Sequence, residues 1–227
     1  MIVSIHQPNY MPWLGYFDKI AKSDIFVVFD NVQFPRGKQH FGHRNLIKTD
    51  KDPKWLTVPL LGKSEFKNFN EIEINYNGWN ENHLNLIKNF YRKAKYFDEY
   101  YSDIENLLNI NYETLSDLSC SLINYFLEKL SIDTKIVYCS ELCPNEITGG
   151  DRIMYLLKEL NATKYISGSG PGSMRYIKEE EFKDNNIELI WQHYDHPTYT
   201  QLYGEFKPYM GVIDLLFNEG NNSKNII

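Results

Sequence analysis

The chain has 227 residues, with 24 Lys+Arg against 30 Asp+Glu (formal net charge -6), 42% hydrophobic and 24% charged residues. This mixture suits a folded chain with an ordinary core and excludes a disordered polyelectrolyte. The acidic balance argues against a general nucleic-acid binder, which would carry a basic field.

The first apolar run is 2–5. Nothing in it or before it has the basic n-region and long apolar core of a signal peptide. No segment approaches the ~18 apolar residues that a membrane-spanning helix needs, so the protein reads as cytoplasmic with no membrane span. Next comes His6-Gln7-Pro8-Asn9-Tyr10-Met11-Pro12-Trp13, stiffened by two prolines, and then a helix over 15–22. His6 stands at the strand exit, where a general base or phosphate contact would be placed.

A second apolar run, 25–29, leads into a segment rich in cations (Arg36, Lys38, Arg44 and Lys48). In an otherwise acidic chain this patch suits an anionic ligand, and Arg can grip a phosphate through two N–H groups. Residues 55–59 read as a further strand. A helical stretch follows over about 80–130. Ser102 with Glu105 has capping-box spacing, and 113–130 carries an apolar stripe.

Strand 135–138, helix 151–160 with Ile153, Leu156, Leu157 and Leu160 on one face, strand 164–167 and strand 187–191 complete the alternation. After the fourth of these apolar strands comes Ser167-Gly168-Ser169-Gly170-Pro171-Gly172, a backbone-rich turn that could cradle a phosphate, with Tyr176 beyond it. It matches neither a Walker loop nor a dinucleotide fingerprint. The Asn-rich tail from Asn218 to Asn225 reads as frayed.

Apolar runs without strict alternation suit strands covered on both faces. The element order therefore predicts an α/β fold: a mostly parallel sheet with helices on both faces and a helical insertion at 80–130 within one domain, 1–227. In such sheets ligands bind beyond the carboxyl ends of the strands, so the three loops are expected to meet at one rim. Three cysteines (Cys120, Cys139, Cys143) form no disulfide framework and read as small buried hydrophobes. His193, Asp195 and His196 lie close in sequence but lack recognisable metal-ligand spacing, and no metal site is assigned. Aromatic residues make up 15% of the chain. They leave two readings open, an aromatic core or rings lining a ligand site.

The block His6-Gln7-Pro8-Asn9-Tyr10 through Pro12-Trp13-Leu14-Gly15-Tyr16-Phe17 resembles the opening of the WbqC-like protein family. Arg44-Asn45-Leu46-Ile47-Lys48 with Trp55-Leu56-Thr57-Val58-Pro59 resembles its second block. Ser167-Gly168, Tyr176, Tyr199-Thr200-Gln201, Phe206 and Asp214-Leu215-Leu216-Phe217-Asn218 resemble its last. The resemblance implies a role in bacterial surface-polysaccharide (O-antigen) biosynthesis, hence in lipopolysaccharide assembly, with a nucleotide-linked sugar as substrate. More distantly, the start of the chain resembles nucleotidylyltransferases and pantothenate synthetase, which implies a Rossmann-like sheet. Where that superfamily has H-x-G-H this chain has Trp13-Leu14-Gly15-Tyr16, so both histidines are gone.

Three functions follow. The first is a transferase moving an acyl or aminoacyl group from its donor to the amine of a nucleotide-linked sugar or other small anionic substrate. Its catalytic candidate is His6, and its substrate-binding candidates are Gln7, Asn9, Tyr10, Trp13, Tyr16, Arg36, Arg44, Asn45, Lys48, Ser167, Gly168, Ser169, Gly170 and Tyr176. The second is an ATP- or CTP-dependent nucleotidyltransferase-like enzyme or ligase, which would need Mg²⁺. The third is a non-catalytic nucleotide-sugar-binding protein.

Overall fold

A computed structural model describes residues 1–35, 41–62 and 66–227. In chain order the elements are β1 (Ile2–His6), α1 (Leu14–Ala21), β2 (Ile25–Val28), β3 (Arg44–Ile47), β4 (Lys54–Thr57), α2 (Trp79–Tyr91), α3 (Phe97–Leu108), α4 (Leu115–Lys129), β5 (Lys135–Tyr138), α5 (Cys139–Leu142), α6 (Gly149–Glu159), β6 (Lys164–Ser167), α7 (Pro171–Met174), α8 (Glu179–Asp184), β7 (Glu188–Trp191) and α9 (Val212–Glu219). The chain divides into two compact units. The first comprises Met1–Gln7, Asp18–Val32 and Asp133–Asp195, and the second Pro8–Phe17, Gln33–Ile132 and His196–Ile227.

The first unit is a five-stranded parallel sheet of order β5-β2-β1-β6-β7. The chain adds strands on one side of β1 (β2, β5) and then on the other (β6, β7). Val3 and Ile5 of β1 stand beside Ile25 and Val27 of β2 in register. They form one apolar face with Tyr165, and Ile153, Leu156 and Leu157 of α6 belong to the same buried cluster. Cys139 and Cys143 belong to it too, and all three cysteines are free and buried. The predicted strands and the α/β class hold.

The second unit contains α2, α3, α4 and α9 together with the antiparallel pair β3-β4. Rings pack densely here: Phe97 lies against Phe217 (5.2 Å), Tyr91 against Phe217 (5.4 Å) and Phe34 against Phe69 (4.9 Å). Edge and tilted contacts of this kind contribute beyond simple area burial. Two sequence expectations are corrected in this unit. Ser102 is no cap. It lies inside α3, which starts earlier because Phe97, Tyr100, Ile104 and Leu108 form one buried stripe. The capping box belongs to α4: Thr114 Oγ1 accepts from Asp117 N (3.2 Å) and Asp117 Oδ2 from Thr114 N (3.0 Å). Nor is the Asn-rich tail frayed. Asn218 ends up buried in α9, and Gly220–Asn225 forms 3-10 turns around a fully buried Ser223. Gly220 is required there, since a side chain would collide with the Tyr96 ring and its φ is 55°.

Candidate site at the carboxyl edge of the parallel sheet

The sheet opens between β1 and β6. The β1–β2 register runs on to His6↔Val28, whereas the β1–β6 register ends at Ser4↔Ile166. Beyond that point each strand turns to its outer neighbour: His6 O accepts from Phe29 N (2.8 Å) and Ser167 O from Gln192 N (2.7 Å). The parting coincides with the reversal of strand order, where open α/β sheets bind ligands.

His6 and Gln7 leave β1 at this parting, and Ser167 and Gly168 leave β6 beside them. Ser167 is buried and its Oγ donates to Gly168 O (3.3 Å), while Ser169 and Gly170 are exposed. Tyr176 is exposed, and its hydroxyl takes a bond from Arg175 Nη2 (2.7 Å). Gly150 must be glycine here, because a Cβ would press on the Tyr176 carbonyl.

The His6 ring is surrounded by protein, although the residue keeps some exposure. Burial pushes its pKa down to about 3, the Lys19 charge adds to this, and the bond to Gln7 O opposes it. With Nδ1 donating to Gln7 O (3.0 Å), the ring is a neutral imidazole whose acceptor lone pair is on Nε2. Lys19 of α1 is 2% exposed, and its Nζ donates to Ile5 O (3.2 Å). Burial lowers its ammonium to about 7.

At the ends of β2 and β5, Asp30 accepts from Ser140 N (3.0 Å) and Ser140 Oγ (2.5 Å). Arg152 is buried and donates to Ile147 O (2.6 Å), Asn31 O (2.6 Å), Asn31 Oδ1 (3.2 Å) and Asn145 O (3.0 Å). It thereby ties together the loops on this edge. The sequence reading missed Lys19 and Arg152. A signal existed for Lys19: it sits in Leu14-Gly15-Tyr16-Phe17-Asp18-Lys19-Ile20, a helix too apolar to offer a lysine much solvent.

The remaining candidates lie in the second unit. Tyr10 is fully buried with its hydroxyl against His83 Nδ1 (3.0 Å), and Tyr16 is buried with its edge on Phe17. Asn9 is buried as well. Trp13 is partly exposed, stacked near His196 (6.5 Å) and edge-on to Tyr209 (5.5 Å). Gly15 is needed because any side chain there would enter the Trp13 indole. The Arg44 guanidinium lies 4.2 Å over the exposed Trp55 ring. Asn45 Nδ2 donates to Met11 O (2.6 Å), and Lys48 Nζ to Glu205 O (2.7 Å). Both residues are buried, so in this structure their polar groups are engaged inside the protein. Arg36 lies outside the described residues.

Around Lys48 the structure gathers a network that the sequence did not foretell. Asp214 is fully buried and accepts from Tyr91 OH (2.7 Å), Tyr199 OH (2.8 Å) and Gln201 Nε2 (2.7 Å). Lys48 N donates to Tyr91 OH (2.9 Å). Burial raises the Asp214 carboxyl above its ordinary value, even though these donors and Lys48 oppose the shift. Among the described residues no group of three or more His, Cys, Asp or Glu is arranged to hold a metal ion. His193 and Asp195 form an exposed pair (3.2 Å), while His196 hydrogen-bonds Pro197 O (2.8 Å) and Tyr209 N (3.1 Å).

The strand order and the parting define a parallel α/β protein with its candidate site at the topological switch point. A family model described as the WbqC-like protein family matches residues 7–226. The uncharacterized protein Rv1507c of Mycobacterium tuberculosis (strain ATCC 25618 / H37Rv) is 34% identical over 223 residues, which cover 96% of this chain and 94% of its own. The chain belongs to the WbqC-like protein family. No solved structure matches it. Among the described residues no helix is long and apolar enough to cross a membrane.

Proposed function

We propose that this protein is a cytoplasmic enzyme of bacterial surface-polysaccharide (O-antigen) biosynthesis that transfers an acyl or aminoacyl group to the amine of a nucleotide-linked sugar. The observation that carries this reading is the neutral His6 imidazole beside the Ser167-Gly168 turn where β1 and β6 part. The family resemblance supplies the pathway, and the parting supplies a place for the reacting groups.

In the reaction the sugar amine attacks the carbonyl carbon of an activated ester or thioester. A C–N bond forms, the bond to the alcohol or thiol breaks, and the amine proton passes by way of His6 Nε2 to the leaving group. An anionic ligand beside His6 raises its proton affinity from the depressed value toward the working range, because an opposite charge favours imidazolium. Backbone N–H groups of the Ser167–Gly170 turn serve the diphosphate.

A thermal-shift panel of UDP-, GDP- and dTDP-linked amino sugars, set against ATP and CTP with and without Mg²⁺, tests the reading. A ligand at 100 Kd stabilises by about 2.7 kcal/mol, a shift of several degrees for a chain of this length. Stabilisation by a sugar nucleotide is expected, followed by acylated product with a suitable donor, and His6→Ala should cut turnover about 10²–10⁴-fold. A shift with ATP or CTP alone would favour nucleotidyl transfer or ligation. Binding without turnover would make the protein a carrier, and unchanged turnover in His6→Ala would remove the proposed base.

A further inference from the structure

Backbone carbonyls of a strand face its two neighbours alternately. Met1 O accepts from Lys164 N on the β6 side, and His6 O accepts from Phe29 N on the β2 side. Ile5 O therefore points toward β6, at the place where the β1–β6 ladder has already ended. Lys19 Nζ takes the place of the missing ladder donor (3.2 Å). This is its single hydrogen bond among the described residues, and no carboxylate there lies within ion-pair distance of it. The acid next to it in sequence, Asp18, is occupied by Lys22 Nζ (2.6 Å) and Gln192 Nε2 (2.9 Å).

An ammonium that is 2% exposed, with one neutral acceptor and no counter-charge, is costly to keep. Fixing a strand end alone would call for no charge, since a neutral donor would serve as well. We propose that Lys19 is the buried cation of an anion-binding subsite at the parting of β1 and β6, where it neutralises a phosphoryl group of the ligand held against His6. This deepens the reading above and rests on it only for the identity of the whole ligand. It assigns one tetrahedral phosphoryl of that ligand's diphosphate to Lys19 of α1.

Inorganic sulfate is the probe, because it keeps one charge state between pH 6 and 8.5. Calorimetric titration of the full chain is expected to show sulfate binding, weakened about 10–100-fold in Lys19→Met and largely retained in Lys19→Arg, the range set by a charge-assisted hydrogen bond. The wild type supplies an independent arm should Lys19→Met not fold. Sulfate affinity should fall as pH rises from 6 to 8.5, since Lys19 loses its proton near 7. The facing groups are His6 and Asp18: Asp18 is ion-paired with Lys22, and the same pH series in His6→Gln, which should keep the fall, separates proton uptake by Lys19 from uptake by His6. Equal binding by Lys19→Met, a flat pH profile, or no sulfate binding by the wild type would overturn the subsite. A Lys19-dependent sulfate site in a protein that ignores every nucleotide sugar would leave the subsite standing and remove the transfer reading. A nucleotide-sugar shift that is unaltered in Lys19→Met would do the reverse.

Discussion

In the second unit Asp214 is buried with three donors arranged around its carboxylate, whereas in the first the hydrogen bonds of Lys19 and Arg152 run to carbonyl and amide oxygens, with no carboxylate among these partners. Both arrangements place charge out of water, and they differ in completeness. The Asp214 network draws Tyr91, Tyr199, Gln201 and the Lys48 backbone onto one anchor, which is how a polar cluster specifies a unique packing. Around Lys19 no carboxylate among the described residues offsets the ammonium at the strand end, and buried, perturbed groups of this kind cluster at functional sites. The residues that resemble the family's three blocks also sort along this line. Asn45, Lys48, Tyr199, Gln201 and Asp214 hold the second unit together, while His6 and Ser167-Gly168 lie where the sheet opens.

The comparison breaks most decisively at Asp214. Replacing it with Ala takes the acceptor from the buried Tyr91 and Tyr199 hydroxyls and from the Gln201 amide, and about 3–5 kcal/mol of stability is expected to disappear, read from urea unfolding. A loss under 1 kcal/mol would mean that the network is not the anchor.

Acid sharpens the comparison, because each unit holds a histidine kept neutral chiefly by burial. His6 is lowered to about 3 and His83, chiefly by burial, to about 4. Unfolded histidine takes up a proton near 6.5, so between that value and the folded ones the unfolded state binds more protons. Stability from each is complete above pH 6.5 and drains away as pH falls toward about 3 for His6 and about 4 for His83. Unfolding midpoints at pH 7 and 4.5 should differ less in His6→Gln and in His83→Gln than in the wild type. Unchanged slopes in both would show that neither ring is held neutral.

The smallest effect is expected at the α4 cap. Thr114→Ala removes the acceptor for Asp117 N and should cost about 1 kcal/mol, without altering ligand binding in the first unit. A change in sulfate affinity in that variant would show that the second unit's local stability governs the first unit's site.

Five strand positions were legible because strands of a parallel sheet are mostly apolar runs without strict alternation, even where Glu188 interrupts the last, and runs such as Ile25–Val28 have few alternatives. Ser102 misled because capping-box spacing is a local pattern, whereas the start of α3 is decided by which residues find a buried face. The tail misled for a related reason. Its asparagines look solvated, yet Ser223 is enclosed and Asn222 bonds Glu219 (3.2 Å).

What the sequence determined alone was the alternation of strands and helices and the placing of His6 and Ser167 at strand exits, since each depends on neighbours along the chain. The tertiary structure alone decided that β1 and β6 adjoin and then part, that Lys19 caps Ile5 there, and that Asp214 collects donors from residues up to 123 positions away. Such groupings depend on strand order and on the burial of long side chains, and neither is written in local spacing.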